Sequence, residues 1–469
     1  MKPFIKLLKT PRCYYFFDVN RNTLVNVSKE CWEYLNGEGS LDDCVEEVGR
    51  LKSNGFLSDH HIQELKHTET DNVEHLINNC LSELILQVTQ ACNLCCVYCP
   101  YASSTDSTRH RKHTSKQMDF ETAKAAIDFL YDHSTLSNSV SFAFYGGEPL
   151  IAFPLIKQCV SYIQDIFDGK EISFSMTTNA TLLTDEIKEF LIDNGFSITF
   201  SMDGPKEIHD KNRKRIDGTG TYDRVISELN DFVSAYPQDE LVKIMVNMVI
   251  NPEDDLDVIN DWANNCLNTQ IYLGSNVVEN DDLENKFDNY DPYNEKFEYL
   301  MAIHLLDHLQ IVKGLEVSRL TLPTFNRIKE LYRDLKTTNA SLPSVGAPSG
   351  PCVSGYRKLF VNVSGDFYPC EKVNEMSEAM KIGSLKTGID VEKVKSHINI
   401  AQLTPEKCIN CWAQANCDLC QKYVADGDEL SAKKKVKLCD DVIASFHYYL
   451  RCCALLKESC VAYKSEEGN

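Results

Sequence analysis

No stretch of 18 consecutive apolar residues occurs in the 469-residue chain, which excludes an ordinary membrane-spanning helix. The first ten residues are basic but lack a sustained apolar core, so no secretory signal is read there and the cytoplasm is the expected compartment. Positive charge is scarce: 48 Lys and Arg stand against 69 Asp and Glu, a net charge of −21. General nucleic-acid binding needs a basic face against the phosphates and is not expected. An acidic surface instead keeps the chain soluble or favours a basic peptide partner. Internal repeats and low-complexity tracts are missing as well.

What the chain has in quantity is cysteine, 20 residues of it. Disulfide scaffolds are short and secreted; clustered cysteines in a long chain argue for metal. The length implies roughly two to four domains, and 43% hydrophobic residues suffice for real cores. The sharpest cluster is the stretch TQACNLCCVYCP at 89–100, where Cys92, Cys96 and Cys99 stand as C-x3-C-x2-C after an apolar strand at 84–88. That places them on the loop leaving the carboxyl end of a strand, where α/β sheets carry their sites. Three thiolates can hold three irons of a 4Fe–4S cube and leave the fourth iron open, whereas an electron-transfer cluster takes four cysteines. A zinc site or buried thiols are the alternatives, although structural zinc takes four protein ligands and no partner pair follows locally.

The stretch resembles the signature of the radical S-adenosylmethionine (radical SAM) enzymes. The resemblance implies that the open iron chelates S-adenosylmethionine and that Tyr98 lies by its adenine. It further implies that reductive cleavage yields a 5′-deoxyadenosyl radical. Three later stretches carry the likeness further. FYGGEP at 144–149 ends a strand; its glycines let a ligand approach the backbone, and Glu148 can accept from an ammonium. It matches the family's GGE motif, so Gly146, Gly147 and Glu148 are implied cofactor contacts. Thr178 and Asn179 end the next strand and offer polar side chains. In the stretch 201–213 the family places Ser201 near the ribose and Arg213 near the methionine carboxylate. Asn247 is a further cofactor candidate. Asp203, His209 and Asp210 read as structural residues of a turn and a helix start.

The expected fold is α/β: a partial (β/α)6 TIM-like barrel over 79–280. An N-terminal winged-helix-like module covers 1–78, a helical bridge and linker 281–345, a cysteine-rich domain 346–445, and a helical tail 446–469. Alternating strands and helices give a parallel sheet, open or closed, with strands at 140–145, 172–176, 198–202, 242–250 and 271–277, and helices capped by Asp119 and Thr184. Its closure into an incomplete barrel is what the resemblance implies. Strands at 12–18 and 23–27, a helix from Ser28 to Gly37 and another from Ser40 make up the first module. It resembles the recognition element of enzymes that mature ribosomally made peptides, where a leader adds a strand to the sheet edge. Cys13, Cys31, Cys44, Cys80, Cys95, Cys159 and Cys266 read as packing or bystander thiols.

The C-terminal cysteines run Cys352-x12-Gly365-x4-Cys370, then Cys408-x2-Cys411-x5-Cys417-x2-Cys420, then Cys439. They resemble a SPASM domain, with one departure: two residues rather than three separate Cys417 from Cys420. The resemblance implies a complete auxiliary cluster on Cys408, Cys411, Cys417 and Cys439, and another on Cys352, Cys370 and Cys420. Some relatives supply a fourth ligand six residues after the first cysteine; Lys358 stands there, implying an open iron able to take a substrate thiolate. Two C-x2-C pairs could also bind zinc. Cys452, Cys453 and Cys460 either substitute for Cys439 or are idle.

Together these stretches resemble the radical enzymes that install thioether links in cysteine-rich peptides, the sactipeptide and ranthipeptide synthases. The cofactors so implied are S-adenosylmethionine and three 4Fe–4S clusters. The partners are a cysteine-rich precursor whose leader sits on the first module, and a low-potential donor of flavodoxin or ferredoxin type. A sulfatase-maturing oxidase and a peptide epimerase are the enzymatic rivals. The former carries an aspartate after the second SPASM cysteine, where this chain has Glu371. Glu371 and Lys358 are the candidate acid–base groups, and an iron–sulfur or zinc peptide-binding scaffold is the non-enzymatic alternative.

Overall fold

The computed structural model describes residues 2–101, 113–236, 243–279, 289–337 and 341–466, with side chains to 336 and 458 in the last two segments. Residue 242, the acidic run 280–288 and the Cys460 side chain lie outside the described residues.

Six strands with buried, branched or aromatic outer faces form a parallel series: Glu83–Thr89, Ser139–Gly146, Glu171–Thr178, Ser197–Ser201, Ile244–Ile250 and Tyr272–Val277. Helices cover the convex side. Asp119 caps Phe120–His133 by accepting from Thr122 N at 2.8 Å, and Thr184 caps Asp185–Asp193 by accepting from Ile187 N at 3.3 Å. Phe142, Phe144, Phe174, Phe196 and Phe200 form a buried aromatic layer between sheet and helices.

The sheet is longer than the six strands expected. Lys358–Val361 adds a seventh parallel strand beside Glu83–Thr89, and Asp366–Tyr368, Gly383–Ser384 and Gly388–Ile389 continue it antiparallel. The cysteine-rich region is thus hydrogen-bonded into the barrel sheet. On the concave side Glu171–Thr178 and Ile244–Ile250 alternate strictly: Phe174, Met176, Val246 and Met248 are buried, while Ser175, Thr177, Met245 and Asn247 stay half-exposed. A period of two with small polar residues on one face makes that face a lined channel rather than core.

The first module is a separate antiparallel sheet, Ile5–Lys9, Tyr14–Asp18 and Thr23–Val27. Its first strand goes beyond the two expected. Ser28 caps Lys29–Asn36, Gly37 ends it at φ 84°, and Ser40 caps a short turn before Val45–Ser53. Phe16, Cys31, Cys44, Val48 and Leu51 fill the inner side. The opposite face is also covered: Tyr15, Phe17 and Leu24 pack on Phe325, Phe446 and Leu450. Phe446 and Leu450 lie on one 35-residue helix, Ala432–Glu466, which runs through both Cys439 and the expected tail. Val73 and Ile77 of Val73–Asn79 join the barrel core, and Glu64–Leu65 pairs with Val345–Gly346.

Candidate functional site

At the carboxyl end of the barrel strands the cysteine loop is stitched to the 212–215 segment, with Cys95 N donating to Lys214 O at 2.7 Å and Val97 N to Asn212 O at 3.0 Å. Cys92, Cys96 and Cys99 line an open cavity of ≈ 150 Å³. Burial pushes the Cys92 and Cys96 thiols up to about 12, so bound metal is what would make them thiolates.

The glycine turn abuts this loop. A Cβ on Gly146 would fall 2.0 Å from Thr89 O, and one on Gly147 2.2 Å from Ala91 O. The space the glycines free is taken by the cysteine loop's own backbone, with Gly147 N donating to Thr89 O at 3.0 Å and Glu148 N to Ala91 O at 2.9 Å. The two motifs therefore form one unit. Glu148 is fully buried on the cavity wall. It accepts from Leu150 N at 3.1 Å, Thr178 Oγ1 at 2.7 Å and Asn179 N at 2.8 Å. Burial raises its pKa to about 6 against the pull of these donors, which leaves a carboxylate at neutral pH able to hold an ammonium.

Thr178 reaches the cavity only through Glu148; its neighbour Thr177 lines the wall directly, as do Asn179 and Ser201. Asn179 Nδ2 donates to Asn93 Oδ1 at 2.9 Å, tying the wall to the cysteine loop. Asn247 lies on the concave face, accepting from Asn276 Nδ2 at 3.0 Å, and is not among the cavity's lining residues. Arg213 and Tyr98 stack, guanidinium to ring centroid 5.4 Å. Both are held by Asp203: Arg213 Nη2 donates to Oδ1 at 3.0 Å and Tyr98 Oη to Oδ2 at 2.5 Å. Asp203 is completely buried and so orients two cavity residues, more than a turn residue needs to do. His113, which no motif singled out, has Nε2 3.5 Å from Cys99 Sγ and Nδ1 3.0 Å from the Gln90 carbonyl.

In the C-terminal region Cys352, Cys370 and Cys420 come together around the buried amide of Gln421. Its Nε2 donates to Cys352 Sγ at 3.3 Å, and its Oε1 accepts from Cys420 Sγ at 3.4 Å. Burial, then the neighbouring Cys352 and Cys370, lift Cys420 to about 11. Lys358 faces Cys370 but pairs with Glu83 at 3.1 Å and Glu371 at 3.8 Å. Cys408, Cys411, Cys417 and Cys439 ring a second, small cavity of ≈ 30 Å³ together with Lys407 and Lys435. Cys452 and Cys453 are buried elsewhere, in the core against Ile328. Among the described residues no three His, Cys, Asp or Glu side chains converge as they would on a single metal ion. Cys92, Cys96 and Cys99 line one open cavity, a thiol set that fits three irons of a 4Fe–4S cluster.

Residues 86–263 match the Radical SAM superfamily model. An uncharacterized Methanocaldococcus jannaschii protein is 40% identical over 130 residues, which span 28% of this chain and 41% of its own length. A cysteine-type anaerobic sulfatase-maturating enzyme of Clostridium perfringens is 26% identical across 61% of this chain and 76% of its own. The solved structure of native anSMEcpe with bound AdoMet and Cp18Cys peptide superposes with a TM-score of 0.56 at 20% identity, covering 81% of this chain and 99% of that one. The class follows first: an α/β protein with a large, mainly parallel sheet that shares the fold of that solved structure. Residues 86–263 are therefore similar to the radical SAM superfamily, and the chain is similar to an anaerobic sulfatase-maturating enzyme. Among the described residues no helix is long and apolar enough to cross a membrane.

Proposed function

We propose that this chain matures a cysteine-rich peptide by forming intramolecular thioether links. Each link replaces one C–H and one S–H of the peptide by a C–S bond, so two hydrogens and their electrons leave the substrate. Cys92, Cys96 and Cys99 hold the first cluster; Glu148 and Arg213 take the amino and carboxylate ends of S-adenosylmethionine, with Ser201 and Tyr98 beside its nucleoside. When bound, these groups supply a radical able to abstract hydrogen from carbon. The polar concave face admits the peptide, and the edge of the N-terminal sheet takes its leader. Two auxiliary clusters, on Cys352, Cys370 and Cys420 and on Cys408, Cys411, Cys417 and Cys439, receive electrons, and a low-potential flavodoxin- or ferredoxin-type donor feeds the first.

The observation that carries this reading is the three-cysteine set around Gln421, beside which Lys358 is tied to Glu83 and Glu371 and supplies no fourth sulfur. An open iron there keeps the substrate sulfur as a fixed thiolate next to the reacting carbon. Anaerobic incubation of the reconstituted enzyme with reductant, S-adenosylmethionine and a candidate cysteine-rich precursor tests it by mass spectrometry. Loss of two hydrogens per link, with the matching thiols closed to alkylation, is the expected result. Lys358→Cys is expected to suppress linking while S-adenosylmethionine cleavage continues; full linking by that variant rejects the open iron.

A second reading has specific support, since the Clostridium perfringens relative is a sulfatase-maturating enzyme and Glu371 follows the second cysteine of the set. Conversion of a cysteine to formylglycine removes the sulfur from the peptide, whereas thioether formation retains it. The same spectrum separates the two, and solvent deuterium at an α carbon would mark an epimerase. A pure binding scaffold would yield no 5′-deoxyadenosine.

A further inference from the structure

Each cysteine set has a cation nearby, and in two of the three that cation is neutralised by carboxylates. Arg213, beside Cys96, is paired with buried Asp203. Around Cys352, Cys370 and Cys420, Lys358 is paired with Glu83 and Glu371, and Lys422 with Glu279. The outer cavity differs. Lys435 precedes Cys439 by one turn of helix Ala432–Glu466, so both side chains fall on one face. Lys435 is 2% exposed. Its Nζ donates to Thr404 Oγ1 at 2.5 Å and to Cys408 Sγ at 3.0 Å. Lys407, which also lines this cavity, pairs with Asp440 at 3.6 Å, whereas among the described residues no carboxylate forms an ion pair with Lys435. A buried ammonium facing only a hydroxyl and a thiol is strongly disfavoured unless anionic charge stands beside it. Among the described residues that line this cavity only the sulfur set can supply that charge.

We propose that Lys435 is a positioning residue for the outer auxiliary cluster, which raises its reduction potential by an N–H···S bond to Cys408 and by an uncompensated positive charge. Four thiolates on a 4Fe–4S core carry a net charge of −2 when oxidised and −3 when reduced, so a fixed neighbouring cation stabilises the reduced form more. The inner sets, whose cations are already neutralised, receive no such bias. Electrons released from the substrate therefore settle on the outer cluster, away from the reacting centre. This inference rests on the reading that these four cysteines hold a 4Fe–4S cluster.

The test is an EPR-monitored redox titration of the full reconstituted chain, with iron, sulfide and zinc counted in each sample. Lys435→Met is expected to shift one cluster to a more negative potential and leave the others in place, while Lys435→Arg restores it. If the methionine variant fails to load, Lys435→Gln keeps a donor without the charge, and its cluster is expected to show a smaller shift in the same negative direction. Unchanged potentials in loaded Met or Gln variants overturn the tuning role. Zinc that disappears on Cys408→Ser, with iron and sulfide unaltered, overturns the cluster reading itself and distinguishes the two failures.

Discussion

The two principal sheets of the molecule are used in opposite ways. The N-terminal sheet is buried on both faces: Phe16 lies under its own helices, while Phe17 meets Trp412 at 6.4 Å and Phe446 at 5.7 Å between ring centroids. Only its edges are left to meet another chain. The barrel sheet buries its convex face alone and keeps Ser175, Thr177 and Asn247 on an accessible concave side. A sheet covered on both sides recognises by its backbone, and one covered on a single side recognises by its side chains. This is why capture and chemistry can be assigned to different regions of one chain.

The division can be broken most severely on the barrel side. Replacing Cys92, Cys96 and Cys99 together with alanine is expected to abolish S-adenosylmethionine cleavage while leaving leader binding intact, read by 5′-deoxyadenosine production and by a labelled-peptide titration. Phe17→Ala is the counterpart in the module. It empties a fully buried aromatic site and should cost about 3–5 kcal/mol in urea unfolding, with leader binding lost before cofactor cleavage. Asp203→Asn removes the anion that fixes Arg213 and Tyr98. S-adenosylmethionine affinity is expected to fall roughly 10-fold or more, as for loss of a charged hydrogen bond, with KM affected more than kcat.

Acidity sharpens the comparison, because buried histidines and buried carboxylates respond with opposite sign, Glu148 in the barrel partly offsetting the histidines there. Burial, then nearby Arg213, lowers His209 beside the barrel site to about 4, and burial lowers His397 in the C-terminal domain to about 4. Both are lowered relative to 6.5, so their share of stability is intact above pH 6.5 and is lost as pH falls towards 4. Asp18 in the module is raised by burial, so it disfavours the fold once ionised and that cost is relieved as pH falls. Hydrogen exchange is expected to show the barrel loosening before the module between pH 6 and pH 4. The smallest effect is reserved for Lys457, which donates to Leu24 O on the module's third strand at 2.6 Å. Lys457→Ala should cost about 1 kcal/mol and speed exchange along that strand only.

Much of this architecture was legible from residue pattern. The barrel strands alternate or run apolar, and Ser28, Asp119 and Thr184 mark helix starts through short-range hydrogen bonds that sequence order alone specifies. The strand Ile5–Lys9 was missed because IKLLK, with two lysines and only five residues, resembles any basic amphipathic end. Lys435 was invisible for a related reason: within KKKVK it looks like a solvated charge run, and only the turn of the helix separates it from its exposed neighbours. Asp203 read as a turn residue because its partners Tyr98 and Arg213 lie far away or beyond a helix. The seventh parallel strand, Lys358–Val361, depends on pairing with Glu83–Thr89 across more than 270 positions, which local periodicity does not report.

The single helix Ala432–Glu466 has a consequence of scale. Lys435 and Cys439 near its start face the outer cysteine cavity, while Lys457 and Glu458 touch Leu24, Thr10 and Tyr15 of the module. Twenty-two residues at 1.5 Å each place these two ends roughly 33 Å apart. The helix is thus a measuring rod. On the proposed function, a leader gripped at the module's edge would be held at a set reach from the cysteine-rich domain, and the number of residues between that leader and its first modified position would become a quantity the enzyme counts.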